Sequence, residues 1–233
     1  MLTVKLKNVF LITNDKQKNI LSNIDFALSK NNIYTIIGKN GAGKTTLLNT
    51  IIGILDEKFY LINGFVKIKS TNIIDLDESK RRNLRKKFIR IVFQDAIGSF
   101  DPLKTFRYYF DLMDCEQEEI DNLLKSFQLQ SSAELGKLYP YEVSGGMAQR
   151  ISICLALLAK PQLLILDEPT SALDVPIANL VSLKLQEYVK STESVILIVT
   201  QDLIFANNVS NYIATLQNGK LEKFRKIIDT TKE

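Results

Sequence analysis

The stretch Gly38-Lys39-Asn40-Gly41-Ala42-Gly43-Lys44-Thr45 decides the fold of this chain. It fits the pattern G-x-x-x-x-G-K-[ST], in which glycines let backbone N–H groups surround a polyphosphate, the lysine supplies a charge and the threonine hydroxyl reaches Mg²⁺. A short apolar run at 33–37 precedes it, and apolar residues with helical spacing follow over 44–54. Strand, glycine loop and helix are the context expected of a phosphate loop, because the helix N-terminus adds its positive dipole end. An ordinary glycine-rich turn is the alternative.

Two acidic residues end a second apolar run, Leu163-Leu164-Ile165-Leu166-Asp167-Glu168. Continuous apolar runs are typical of parallel strands covered on both faces, and open α/β sheets bind ligands at the carboxyl ends of such strands. Asp167 therefore suits Mg²⁺, and Glu168 is placed to polarise an attacking water, as phosphoryl transfer requires. The alternative is a pair of acids that cap the next turn.

The stretch Ser144-Gly145-Gly146 predicts a second anion site, because it opens a predicted helix over 144–158 with Ser144 as N-cap. One nucleotide rarely needs two such cradles on one chain. A head-to-tail dimer explains both, if the second cradle meets the γ-phosphate held by the other subunit. The alternative is an N-cap followed by glycines that allow close packing.

Composition limits the class of protein. The 233 residues carry a formal net charge of +4, no histidine and two cysteines, Cys115 and Cys154, without metal-ligand spacing. Any bound metal is therefore expected to be an oxygen-ligated ion such as Mg²⁺. No apolar run reaches the roughly 18 residues of a membrane span, so we expect a cytosolic chain. The basic residues at 80–87 suggest nucleic acid or anionic lipid, but one solvated helix face is favoured because no aromatic residues interleave them.

The rest of the pattern predicts an α/β fold. Alternating apolar residues before position 29, with the turn-rich Thr13-Asn14-Asp15-Lys16, indicate a small antiparallel β-lobe. The further predicted elements are strands at 89–93 and 195–199, a largely helical region at 99–138, an amphipathic helix at 177–189 and a closing hairpin at 213–219. The chain is expected to be a single domain, 1–233, with a helical subdomain at roughly 97–158 inserted in the core.

The order of these motifs resembles that of the ATP-binding subunit of an ABC transporter, whose fold is a P-loop NTPase core. The motifs, in family order, are the phosphate loop, Gln94 after an apolar strand, Ser144-Gly145-Gly146, Asp167-Glu168 and Ser171-Ala172-Leu173-Asp174. Phe93-Gln94-Asp95 with Ser99-Phe100-Asp101-Pro102, and the stretches 139–150 and 167–175, are similar to the oligopeptide, dipeptide and nickel importer branch.

The resemblance implies a role for each matching residue, with ATP and Mg²⁺ as cofactors. Residues implied at the ATP phosphates are Gly38, Asn40, Gly41, Gly43, Lys44, Thr45 and Thr46. Those implied at the metal are Thr45, Gln94 and Asp167, and the implied catalytic set is Glu168 as general base with Lys44 and Gln201. Ser144, Gly145 and Gly146 are implied to contact ATP on the partner subunit.

Two positions depart from the family pattern. Gln201 stands where the family has a switch histidine, and it can hydrogen-bond a γ-phosphate but cannot become a cation. An aromatic residue that would stack on adenine is not evident, since Ile12 and Thr13 occupy its place and Phe10 lies nearby. The first departure leaves two functions open, a normal transport ATPase and a weakened subunit that regulates an active partner.

The family also implies partners and a place in the cell. These are a second ATPase subunit (a heterodimer in the first instance, a homodimer as the alternative), two transmembrane permeases and, indirectly, an extracytoplasmic substrate-binding protein. Nucleic acid is not expected. The chain is expected to lie peripherally on the cytoplasmic face of the cell membrane, and its aromatic residues Phe106, Tyr108, Tyr109 and Phe110 either dock a permease or fill the helical subdomain. The cargo, peptide, nickel or a metal chelate, stays open.

Overall fold

The computed structural model describes residues 1–13 and 16–227 and contains two β-sheets. The smaller sheet is the predicted β-lobe, with strand order β2-β1-β4-β5 and antiparallel pairing throughout. Its strands are β1 (Leu2–Thr13), β2 (Lys16–Leu28), β4 (Tyr60–Ile68) and β5 (Thr71–Asn72). Leu2, Val4 and Leu6 alternate into the core, which is why the sequence shows period two here. Asn14 and Asp15, in the predicted turn, lie outside the described residues.

The larger sheet has the order β10-β9-β3-β8-β7-β6, with β11 paired to β9. Its strands are β3 (Asn32–Ile37), β6 (Ile89–Val92), β7 (Leu163–Asp167), β8 (Val195–Thr200), β9 (Tyr212–Gln217), β10 (Lys220–Leu221) and β11 (Arg225–Lys226). Strands β3, β6, β7, β8 and β9 run parallel, and every residue of β7 and β8 is buried. The carboxyl ends of β3, β7 and β8 therefore meet at one edge.

The chain has eight α-helices in its described residues, and some of them pack on each face of this sheet. They are α1 (Lys44–Ile52), α2 (Glu78–Phe88), α3 (Phe106–Asp111), α4 (Gln117–Ser126), α5 (Ser132–Leu135), α6 (Gly145–Leu158), α7 (Val175–Ser191) and α8 (Leu203–Val209). Helix α1 ends two residues before the predicted boundary because Gly53 adopts a left-handed conformation (φ 66°). Among the described residues, no helix combines the length and apolar character needed to cross a bilayer.

Helices α3 to α6 lie between β6 and β7 and form a helical subdomain. The region predicted as largely helical, 99–138, is broken into three short helices, because new N-caps interrupt it. At α5, for example, Ser131 and Glu134 form a reciprocal capping box. Phe106 and Phe110 are buried in the subdomain core, so these two fill it rather than dock a partner, whereas Tyr108 is exposed.

The basic stretch 80–87 lies on α2, as predicted for a solvated helix. Asp77 caps its N-terminus by accepting a hydrogen bond from the backbone N–H of Lys80, which lowers the pKa of Asp77. Arg85 pairs with Glu78 at 2.6 Å, and Arg81 pairs with Glu57. Part of the positive charge is thus neutralised within the chain.

Candidate functional site

The phosphate loop joins β3 to α1, and two of its glycines hold conformations that other residues avoid. Gly41 has φ +79° and Gly43 has φ +103°, both in the left-handed half of conformational space. Gly38 is needed for another reason, since a Cβ there would lie 2.6 Å from the backbone oxygen of Leu216 on β9. A Cβ on Gly41 would meet no atom within 4 Å, so the loop leaves open space beside its backbone.

Lys44, the first residue of α1, reaches back across the loop. Its Nζ donates to the backbone oxygen of Gly38 at 2.7 Å and lies 3.4 Å from that of Lys39. The same ammonium stands 3.1 Å from Oε1 of Glu168, and both side chains are less than a tenth exposed. A buried positive charge is therefore held over the mouth of the loop by one carboxylate and two carbonyls.

Glu168 is fixed from three directions just beyond β7. Its Oε2 accepts a hydrogen bond from the Thr200 hydroxyl at 2.8 Å and another from the backbone N–H of Gln201 at 3.1 Å. Oε1 is buried without a hydrogen bond of good geometry from the described residues, so its charge is balanced by Lys44 alone. Glu168 also has φ +46°, an uncommon conformation for a non-glycine residue and one that recurs at functional sites.

Asp167 is the last residue of β7 and lies beside Thr45. The Thr45 hydroxyl donates to Oδ2 of Asp167 at 3.5 Å. Burial, and then the negative charge of Glu168, raise the pKa of Asp167, while Lys44 and the Thr45 hydroxyl act in the opposite direction. A hydroxyl and a carboxylate at this distance are hard oxygen donors, so these two residues fit Mg²⁺.

One cavity of about 260 Å³ gathers most of the expected phosphate, metal and catalytic residues. Its lining residues are Ile20, Lys39, Asn40, Gly41, Gly43, Lys44, Thr45, Thr46, Gln94, Asp167 and Glu168. Gln94, in the segment after β6, is exposed at its rim, and Gln201 reaches the site through its backbone N–H while its side chain is exposed. Loop, strand end and metal-type oxygens are thus assembled as the spacing in the sequence predicts.

Ser144 lies at a separate cavity of about 490 Å³. As predicted, it caps α6, accepting a hydrogen bond from the backbone N–H of Met147 at 3.2 Å. A Cβ on Gly146 would lie 2.9 Å from the Ala172 backbone oxygen, so this glycine also permits close packing. The two cavities share no lining residue. Within one chain, the structure does not bring the serine-led helix end to the phosphate loop.

Sequence reasoning missed Ile20. This residue of β2 supplies the one apolar side chain, apart from aliphatic stems, in the lining of the phosphate-loop cavity. No residue lining that cavity is aromatic. Ile20 looks in sequence like any other partly buried strand residue, and only the packing of β2 against Gly43 places it at the site.

The decisive comparison is with a protein-family model. The model of the ABC transporter family matches residues 21–171, more than half of the chain. This chain belongs to the ABC transporter family. The match contains the phosphate loop, Ser144-Gly145-Gly146 and the Asp167-Glu168 strand end, the motifs that carry the site geometry.

Several members of the ABC transporter family resemble the chain over nearly its whole length. The metal-staphylopine import system ATP-binding protein CntD of Staphylococcus aureus is 30% identical over 95% of this chain and 84% of its own length. The oligopeptide transport ATP-binding protein OppD of Escherichia coli is 28% identical over 96% of this chain and 69% of its own. The predicted resemblance to the oligopeptide, dipeptide and nickel importer branch is confirmed at this level.

Solved ABC cassettes share the fold. One bacterial cassette, solved as a dimer, superposes with a TM-score of 0.78 at 26% identity, covering 98% of this chain and 99% of that one. A post-hydrolysis dimer of the same cassette, bound to ADP and Pi, gives a TM-score of 0.82 at 24% identity, with the same coverage. The predicted fold and the enzyme class, an ABC-type ATPase, are confirmed.

Proposed function

We propose that this chain is the ATP-hydrolysing subunit of an ABC importer that takes up peptides or metal chelates, nickel among them, through partner permeases. The names of CntD and OppD support this class of cargo. The observation that carries the proposal is the buried ion pair between Lys44 and Glu168 at the mouth of the phosphate loop, 3.1 Å long. It places a phosphate-binding cation and a proton acceptor side by side.

The residues of the first cavity fit a nucleoside triphosphate with Mg²⁺. Open space beside Gly41, free of any atom within 4 Å of a Cβ position, leaves room for phosphate oxygens next to backbone N–H groups. In this proposal the phosphates are held by Gly38, Asn40, Gly41, Gly43, Lys44, Thr45 and Thr46. Thr45, Gln94 and Asp167 supply oxygen atoms to the metal.

Lys44 and Glu168 would change partners when nucleotide binds. Bound ATP would supply the transferable γ-phosphoryl group, and Mg²⁺ held by Thr45, Gln94 and Asp167 would neutralise part of the charge that develops on it. Lys44 then turns its Nζ from Glu168 to the phosphate oxygens, which frees Oε1 of Glu168 to accept a proton from water. Thr200 and the N–H of Gln201 keep Oε2 in place, so the carboxylate stays oriented as it loses its cation.

Assembly with other subunits completes the proposal. A second ATPase cassette, a different subunit in the first instance or else a second copy, would present its own serine-led helix end to this chain's nucleotide, and Ser144-Gly145-Gly146 would meet the nucleotide of that cassette, because one chain keeps its two cavities apart. The dimers seen in two structures of one similar cassette support this. Two permeases, and through them an extracytoplasmic substrate-binding protein, would place the chain on the cytoplasmic face of the membrane.

The test uses the transporter assembled with its own permeases. Wild type should hydrolyse ATP in a Mg²⁺-dependent reaction and take up a peptide or a nickel chelate. Lys44→Ala should lose nucleotide binding, and Glu168→Gln should keep binding but lose hydrolysis by several orders of magnitude. Equal hydrolysis by wild type and Glu168→Gln would contradict the assignment of the base.

A second candidate function rests on Gln201. Its side chain cannot carry a positive charge, so a catalytically weakened subunit that regulates or dimerises with an active ATPase is the alternative. Gln201→His should then raise the hydrolysis rate of the assembled complex, with Gln201→Asn as the matched control. An unchanged rate in both variants would count against the weakened subunit.

A further inference from the structure

A stacked pair of tyrosines lies immediately before the serine-led helix end. The rings of Tyr139 and Tyr141 are nearly parallel, 9° apart, with centroids 5.4 Å from each other. Tyr141 is 66% exposed, so one face of its ring lies on Tyr139 while much of the ring is open to solvent. An exposed, preformed aromatic face is a platform on which a planar apolar group can stack.

The backbone holds this platform rigid. The segment 140–142 is a single 3₁₀ turn, in which the N–H of Glu142 donates to the Tyr139 backbone oxygen at 3.0 Å. The N–H of Tyr139 in turn donates to Oε2 of Glu142 at 2.8 Å. Pro140 and Val143 are buried on either side of Tyr141. Little conformational freedom remains to be lost when something binds the ring.

The tyrosine pair lies close to the second anion site at Ser144, at a distance that suits the base of a nucleotide bound there. Tyr141 and Ser144 are three positions apart in the chain, a span of at most about 10 Å, comparable with the length of a nucleoside triphosphate from γ-phosphate to base. The phosphate-loop cavity, in contrast, offers no aromatic lining and presents Ile20 alone as an apolar contact. The exposed aromatic surface of this chain therefore lies beside the Ser144 cavity and not beside the phosphate loop that would hold the chain's own nucleotide.

We propose that Tyr141 stacks on the base of the nucleotide held by the phosphate loop of a second cassette. Ser144 of the same chain meets the terminal phosphate of that nucleotide, and Tyr139 supports the Tyr141 ring from behind. This inference rests on the proposed ATP binding and head-to-tail pairing, and it adds a residue that stacks on the base. Base binding and dimer closure are then one event.

The experiment uses 8-azido-ATP, which cross-links on illumination to groups that touch the base, and mass spectrometry to locate the cross-link. A second copy of this chain supplies the mate. One variant, Lys44→Ala, cannot hold nucleotide but keeps Tyr141, and the other, Tyr141→Ala, holds nucleotide but lacks the ring. Each alone should give no label at position 141. Their mixture should label Tyr141 of the Lys44→Ala copy.

A second measurement gives the size of the effect in the hydrolysis-deficient Glu168→Gln background. Removal of one stacked base contact should raise the ATP concentration for half-maximal dimerisation about 5- to 150-fold in Tyr141→Ala. Tyr141→Phe should restore the wild-type value, because stacking needs the ring and not the hydroxyl. Tyr108→Ala, which removes another exposed tyrosine, is the matched control and should change nothing.

The outcomes separate the two proposals. If wild type shows no Lys44-dependent binding of 8-azido-ATP, the proposed function fails. If binding is normal but the mixture leaves Tyr141 unlabelled, or an unmixed variant labels it, stacking across the interface is wrong. A Tyr141→Ala variant that dimerises at the wild-type ATP concentration would overturn it as well.

Discussion

Removal of either member of the buried Lys44–Glu168 pair should lower the free energy of unfolding of the nucleotide-free chain. Removal of both should lower it by much less than the sum of the two single effects. Two unit charges 3.1 Å apart attract by about 5 kcal/mol at an effective dielectric constant of about 20. Desolvation of both groups cancels part of this attraction, which leaves an expected coupling of about 2–3 kcal/mol. Lys44→Met leaves Oε1 of Glu168 buried without a counter-charge, so it should be the costlier single variant.

A double-mutant cycle of Lys44→Met and Glu168→Gln measures this coupling from urea unfolding at constant m-value. The matched control is the Lys184–Glu187 pair, which has the same chemistry at 2.8 Å but side chains 25% and 65% exposed. Its cycle should give less than about 0.5 kcal/mol. Additive costs at the buried pair, within about 0.5 kcal/mol, would refute the idea that Glu168 neutralises Lys44 before nucleotide arrives.

Four further results are expected. Asp167→Asn should abolish Mg²⁺-dependent hydrolysis yet raise the Tm of the nucleotide-free chain at pH 7, because the raised pKa of Asp167 means that its ionised form costs stability. This gain, followed by calorimetry, should begin to shrink as the pH falls through the raised pKa and should be gone below the ordinary pKa of an aspartate. Ser144→Ala should lose the N-cap and about 1 kcal/mol of unfolding free energy, whereas Ser144→Asn should keep both. Hydrolysis by the assembled complex should fall in both variants. Normal hydrolysis by either would contradict a role for the hydroxyl. Gly43→Ala should cost about 1–3 kcal/mol in urea unfolding, since a Cβ at φ +103° would lie 2.9 Å from Cδ2 of Leu21. Burial raises the pKa of the Cys154 thiol, so iodoacetamide should modify it only after unfolding, as peptide mapping would show.

The sequence predicts the site better than the scaffold around it. The phosphate loop and the Asp167-Glu168 strand end depend on local rules, and their assembly in one cavity follows from the common edge of parallel strands. The hairpin at Asn218-Gly219 is confirmed for the same reason, because both residues adopt positive φ and join β9 to β10.

What the sequence missed depends on tertiary contacts. Strand β4 passes unnoticed because the exposed Leu61 and the slip at Asn63 and Gly64, where its pairing with β1 shifts register, hide the alternation of its more buried residues. Ile20 belongs to the site only because β2 packs beside Gly43. The docking role considered for Phe106 and Phe110 fails because the helical subdomain, once broken into short helices, needs large side chains for its own core.

The separation of the two cavities has a consequence for how the chain behaves when it is scarce or in excess. In the proposed head-to-tail pair, each molecule contributes its phosphate-loop cavity to one ATP site and its Ser144 cavity to the other, so neither site is complete in a single molecule. Turnover in dilute solution should therefore grow with the square of protein concentration. Copies made in excess of the permeases should therefore hydrolyse little ATP.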